Sequence, residues 1–146
     1  MRIYLDNCCL QRPLDLQTQP RIRVETEAVF AVLATVQAKD VKLCSSEVLL
    51  FEIGRIPDDA RRAESLSMLS LATEFLTITD DVEAQALSFE AQGLHSLDAL
   101  HLACASQAEV DYFCTCDDRL LCKAGSVAGL NCQVISLLNL VVEVSR

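Results

Sequence analysis

No stretch of this sequence runs to about 18 consecutive apolar residues, so no membrane-spanning helix is expected. The start, Met1 to Asp6, holds one arginine and a short apolar run that Asp6 interrupts, too brief for a secretory signal. These two absences predict a cytoplasmic protein. Internal repeats, low-complexity tracts and linkers are also missing, which leaves residues 1–146 as one expected domain. With 51% hydrophobic residues the chain can bury a core without metal or disulfide staples. Positive charge is scarce, and the net charge of −9 disfavours broad, nonspecific binding to nucleic acid. Residues 63–118 carry eleven acids and neither Lys nor Arg, whereas nine of the twelve basic residues precede residue 63.

Eight cysteines stand against this background. In a reducing compartment they read as buried thiols rather than disulfides. Cys8 and Cys9 are adjacent, and Cys114 and Cys116 are separated by one residue. Neither pair has the two-residue spacing of a zinc knuckle, so spacing alone points to no zinc site.

Short β-rich runs alternate with helical periodicity. Strands are expected at Arg2–Asp6, Val41–Ser45, Phe75–Thr79, Tyr112–Thr115 and Gln133–Ser136. Between them, helices are expected at Ile22–Lys39, Glu47–Gly54, Asp59–Ala72, Asp80–Gln92, Ser96–Gln107 and Asp117–Ala124. Ser45 or Ser46, Asp58 and Ser96 read as caps, and Gly93 as a terminator. Alternation of this kind predicts an α/β protein with a mainly parallel, five-stranded sheet covered on both faces.

In such sheets ligands bind beyond the carboxyl ends of the strands. Asp6 ends the first strand and Asp117-Asp118 follow the fourth, so neighbouring first and fourth strands would set these acids face to face. Asp98 lies in the first turn of the helix leading into the fourth strand, and Glu52 in the helix after the second. Each has a plainer reading: Asp98 as a dipole partner, Asp117 or Asp118 as a helix cap, Glu52 as a surface residue. Two charges about 4 Å apart repel by about 4 kcal/mol at an effective dielectric of 20. Gathered carboxylates therefore protonate or hold a cation, and hard oxygen donors suit Mg²⁺ or Mn²⁺. His101, one turn beyond Asp98, reads first as a satisfied core histidine and second as a carboxylate or substrate partner. If RNA phosphates dock, Arg12, Arg55 and Arg119, with Lys123, are the expected contacts.

The segments IYLDNCC from Ile3, SSEVLLFEI from Ser45, SLDALHLACA from Ser96 and FCTCDDRLL from Phe113 resemble the PIN domain, and within it the VapC-like toxin group. The likeness runs from Met1 to about Ser136. It implies a three-layer α/β/α sandwich and Mg²⁺- or Mn²⁺-dependent endonuclease cleavage of single-stranded RNA. It also implies a small antitoxin partner and a homodimer. The family's four acids fall on Asp6, Glu52, Asp98 and Asp117, with metal expected at Asp6, Asp98 and Asp117, and with Asp118 as a substitute for its neighbour. Thr115 matches a hydroxyl that orients the site. Asn7 departs from the small hydroxyl residue that relatives carry there. Gln11–Arg23 is longer and more basic than in many relatives and reads as a substrate or partner loop. The alternative reading is a catalytically inactive PIN-like module that binds RNA or protein.

Overall fold

The computed structural model describes residues 1–146. Its core is a five-stranded parallel sheet in the order β3-β2-β1-β4-β5. The strands are β1 (Arg2–Leu5), β2 (Lys42–Ser46), β3 (Glu74–Leu76), β4 (Tyr112–Cys114) and β5 (Gln133–Ile135). β1 is central because Ile3, Tyr4 and Leu5 have no exposed surface, as a strand covered on both faces demands.

Eight helices surround the sheet: α1 (Asn7–Gln11), α2 (Pro20–Gln37), α3 (Glu47–Gly54), α4 (Asp59–Leu69), α5 (Asp80–Ala91), α6 (Ser96–Gln107), α7 (Asp118–Ala124) and α8 (Leu137–Val144). The result is the expected α/β/α sandwich, in which α2 packs along α8 and α5 along α6. No helix is long and apolar enough to cross a membrane.

From β1 the chain winds outward through β2 and β3, then returns to place β4 on the other side of β1. The winding reverses between β1 and β4, so the segments leaving these two strands emerge side by side at the carboxyl end of the sheet. Register keeps the ends level. Leu5 pairs with Cys114, and the Asp6 amide donates to the Cys114 carbonyl at 2.9 Å.

Caps explain most helix starts. Ser46 accepts from the Leu49 amide at 3.0 Å, and Asp58 from that of Arg61 at 2.8 Å. Gly93 ends α5 with φ +105°, a conformation that favours glycine. Ser96 departs from expectation: it is the first helical residue of α6, and His95, in extended backbone, holds the cap position without a side-chain bond. α4 stops at Leu69 rather than Ala72.

The expected loop over Gln11–Arg23 is largely ordered structure. It comprises the end of α1, a 3₁₀ turn at Arg12–Leu14 and the first turn of α2, with Pro20 at its start. The basic residues in it are bound within the protein. Arg12 pairs with Asp15 at 3.1 Å and Glu25 at 3.0 Å, and Arg21 with Asp118 at 2.8 Å. α1 and α8 are additions to the sequence-based elements.

Candidate active site

Asp6 leaves β1 and caps α1, accepting from the Asn7 amide at 2.8 Å. Its other carboxylate oxygen accepts from the Thr115 hydroxyl at 2.9 Å and from the Cys8 thiol at 3.4 Å. The same Thr115 oxygen accepts from the Asp117 amide at 3.1 Å. One hydroxyl thus ties the end of β1 to the segment leaving β4. Asp117 caps α7, accepting from the amides of Arg119 and Leu120 at 2.9 and 3.4 Å.

The second acidic pair arrives from α3 and α6. The Glu52 carboxylate lies 2.9 Å from Nε2 of His101, and the ligating atoms of Asp6, Glu52 and His101 all fall within 4.8 Å of one another. Asp98, in the first turn of α6, lines a cleft of about 240 Å³ with His95, Asp117, Arg119 and Lys123.

Burial, with little compensating charge, governs the electrostatics. Asp6 is 7% exposed, and desolvation holds its carboxyl well above the usual range, with Cys8 and Glu52 adding to the rise. Asp98 is also raised, by burial first and by the charge of Asp117 next, with Glu52 contributing less. Glu52 therefore raises both Asp6 and Asp98, and Asp117 raises Asp98. No Lys or Arg forms an ion pair with Asp6, Glu52, Asp98 or Asp117.

His101 is buried and satisfied through both ring nitrogens. Its Nδ1 lies 2.5 Å from the Tyr4 hydroxyl, which in turn lies 2.7 Å from Ser46 Oγ. Both sequence readings hold together: it is a core histidine and a carboxylate partner. A neutral ring donating from Nε2 to Glu52 and accepting from Tyr4 satisfies every member of this chain. Tyr4 escaped the sequence reading, and Ser46 was read only as a helix cap. A tyrosine inside an apolar strand is too common a signal to single out.

The remaining candidates separate clearly. Asp118 is turned outward, where Arg21 pairs with it and lowers its carboxyl pKa. Asn7 is buried at the start of α1, and its Oδ1 has no hydrogen-bond partner. Among the expected phosphate contacts, Arg119 faces the cleft and Arg55 lies over the Phe51 ring at 5.4 Å. Arg12 is tied to Asp15 and Glu25, so its charge is already answered. Lys123 joins the cleft from α7, its Nζ donating to the Gly93 carbonyl at 2.6 Å.

Chemically, the site offers carboxylate oxygen donors and two imidazoles, His95 and His101. One buried carboxylate, Asp6, with half-buried Glu52 and Asp98 and exposed Asp117, none of them ion-paired to Lys or Arg, fits a hard divalent cation.

The chain is similar to known proteins in sequence pattern and in fold. The family model for the PIN domain matches residues 20–125, a span that holds Glu52, Asp98 and Asp117. No curated protein matches the chain in sequence. Among solved structures, VapBC2 from Rickettsia felis, bound to a DNA fragment from its promoter, superposes with a TM-score of 0.62 at 12% identity, covering 92% of this chain and 98% of that one. PAE2754 from Pyrobaculum aerophilum superposes with a TM-score of 0.54 at 16% identity, covering 99% and 98%. At these identities the superpositions speak for the fold. The reversed winding of the sheet, the acids at its carboxyl ends and the match across residues 20–125 lead to one assignment: this chain belongs to the PIN-domain family.

Proposed function

We propose that this chain is a divalent-metal-dependent endoribonuclease that cleaves single-stranded RNA, and that it is the toxin of a toxin–antitoxin pair. The observation that supports the reading is the gathering of Asp6 with Glu52, and of Asp98 with Asp117, with no Lys or Arg ion-paired to any of the four. Such a set stores repulsion that a bound cation relieves.

Asp6, Asp98 and Asp117 would hold Mg²⁺ or Mn²⁺, and Glu52 would stand beside them. When bound, the ion supplies Lewis acidity and a water of lowered pKa. The protein's own groups do the rest. Thr115 fixes the Asp6 carboxylate, and the Tyr4–His101 chain fixes that of Glu52. Lys123 and Arg119, which line the cleft with Asp98 and Asp117, would meet phosphate oxygens. Burial of Asp6 keeps bulk water from screening the charges.

The fold likeness to VapBC2 supports a small antitoxin partner. A homodimer draws support from exposed Val24 and Phe30 on α2, and from exposed Leu138 and Val142 on the adjacent α8. The direct test is cleavage of a panel of single-stranded RNAs in Mn²⁺. Chelator should stop it, and Asp98→Asn should abolish it while leaving the circular dichroism spectrum unchanged. Cleavage that persists in chelator overturns the nuclease mechanism. Growth arrest on expression, relieved by an adjacent small gene product, tests the toxin role.

A further inference from the structure

Beside the carboxylates lies a cluster of sulfur that the nuclease reading does not use. Cys8 and Cys9 sit in α1, and Cys116 between β4 and α7, yet their Sγ atoms all fall within 4.8 Å of one another. The Cys116 and Cys9 sulfurs are 3.6 Å apart, and Cys9 Sγ is 3.9 Å from Cys114 Sγ. The Cys116 amide donates to Cys8 Sγ at 3.3 Å. Topology explains the convergence. The Asp6–Cys114 backbone bond aligns the ends of β1 and β4, so α1 begins against the chain that leaves β4.

Zinc–thiolate bonds measure about 2.3 Å, which puts neighbouring sulfurs of a tetrahedral site about 3.8 Å apart. The Cys9–Cys116 separation of 3.6 Å already lies near that edge. All eight cysteines are unpaired, so these three thiols are available as ligands. Three thiolates around a divalent cation leave one net negative charge, and the guanidinium of Arg12, although paired with Asp15 and Glu25, still acts on Cys116. Arg12 Nε is itself buried without a hydrogen-bond acceptor. An anionic sulfur cluster there would supply the acceptor this donor lacks.

We infer that Cys8, Cys9 and Cys116 form a site for a thiophilic divalent cation such as Zn²⁺, separate from the hard-cation site of the acids. On binding, each thiol releases its proton to solvent and donates a sulfur lone pair, leaving one tetrahedral position for a water. Sequence scanning misses the site because the Cys9–Cys116 pair is separated by 107 residues. Occupancy also changes the environment of Asp6, because Cys8 donates a hydrogen bond to that carboxylate only while it keeps its proton.

The test uses the reduced, full chain and no RNA, so its result is independent of the nuclease proposal. Cadmium is titrated into the protein, and the ultraviolet charge-transfer band of cadmium–thiolate bonds is followed. The band should saturate at one equivalent, resist a large excess of Mg²⁺ and be reversed by Zn²⁺. Cys9→Ala and Cys116→Ala should each weaken binding roughly tenfold or more. Cys122→Ala and Cys132→Ala, which lie outside the cluster, should leave it unchanged. X-ray absorption at the zinc edge, on the unaltered chain with one equivalent of Zn²⁺, guards against variants that fail to fold. Sulfur neighbours at about 2.3 Å support the site. No cadmium band at one equivalent, or zinc surrounded only by oxygen and nitrogen, overturns it.

Discussion

Replacing Asp6 with asparagine removes one negative charge and leaves almost the same shape. Asp6 is buried and its carboxyl is raised, chiefly by desolvation. For an acid whose folded pKa exceeds its unfolded value, ionisation costs stability at neutral pH, and that cost disappears as the pH falls below the unfolded value. The repulsion from Glu52 can be bounded from geometry. Their ligating oxygens lie within 4.8 Å, which corresponds to at least about 3.5 kcal/mol at an effective dielectric of 20 when both are charged. Glu52 is partly exposed and faces His101, so relief of about 1–2 kcal/mol is a fair expectation. The cap of α1 survives the change, because Asn and Asp are equivalent there.

In chelator at pH 7.5, Asp6→Asn should therefore melt roughly 2–6 °C above the parent. Mn²⁺ at a hundred times its dissociation constant adds about 2.7 kcal/mol to a chain that binds it, or roughly 5–10 °C. The parent should show that gain and the variant less than a third of it, so the order of stability inverts between the two buffers. Thermal melts followed by far-ultraviolet circular dichroism read both. A variant that melts several degrees lower in chelator, yet keeps the full Mn²⁺ shift, would show that Asp6 acts only as a helix cap.

Other outcomes follow from the same geometry. Asp117→Asn should lower Mn²⁺-dependent RNA cleavage by about 100-fold. Asp118→Asn, which loses only an exposed pair with Arg21, should stay within about threefold in the same assay. His101→Ala leaves the Tyr4 hydroxyl and Glu52 without their partner and opens a cavity, so urea unfolding should show a loss of about 2–4 kcal/mol. Glu74 is lowered by its hydrogen bond and ion pair with Arg2. Its contribution is present above the ordinary glutamate pKa and is lost as the pH falls through the lowered folded value. Glu74→Gln should thus cost about 1 kcal/mol in urea at pH 7 and progressively less as the pH falls below the ordinary glutamate range.

The sequence determined the elements and their chemistry because these depend on local rules. The buried run Ile3–Leu5, the Ser46 and Asp58 caps, the Gly93 terminator and the alternation that makes the sheet parallel all lie within a few residues of their cause. α1 and α8 were less legible. α1 is a single short turn and a half, held by the Asp6 cap, and α8 is a short apolar stretch capped by Ser136 that packs on α2 and β4. Only the tertiary structure could decide which charges are already answered. In sequence Arg12 reads as free for phosphate, and the fold sets Asp15 and Glu25 beside it; Asp118 reads as interchangeable with Asp117, and the fold pairs it with Arg21. The pairing of β1 with β4 decided the rest, because hydrogen-bond register sets Asp6 against Thr115 and Cys9 against Cys116 across more than a hundred residues of chain. Local sequence carries no record of such distances, since each is the sum of a sheet order and a register rather than the property of any one segment.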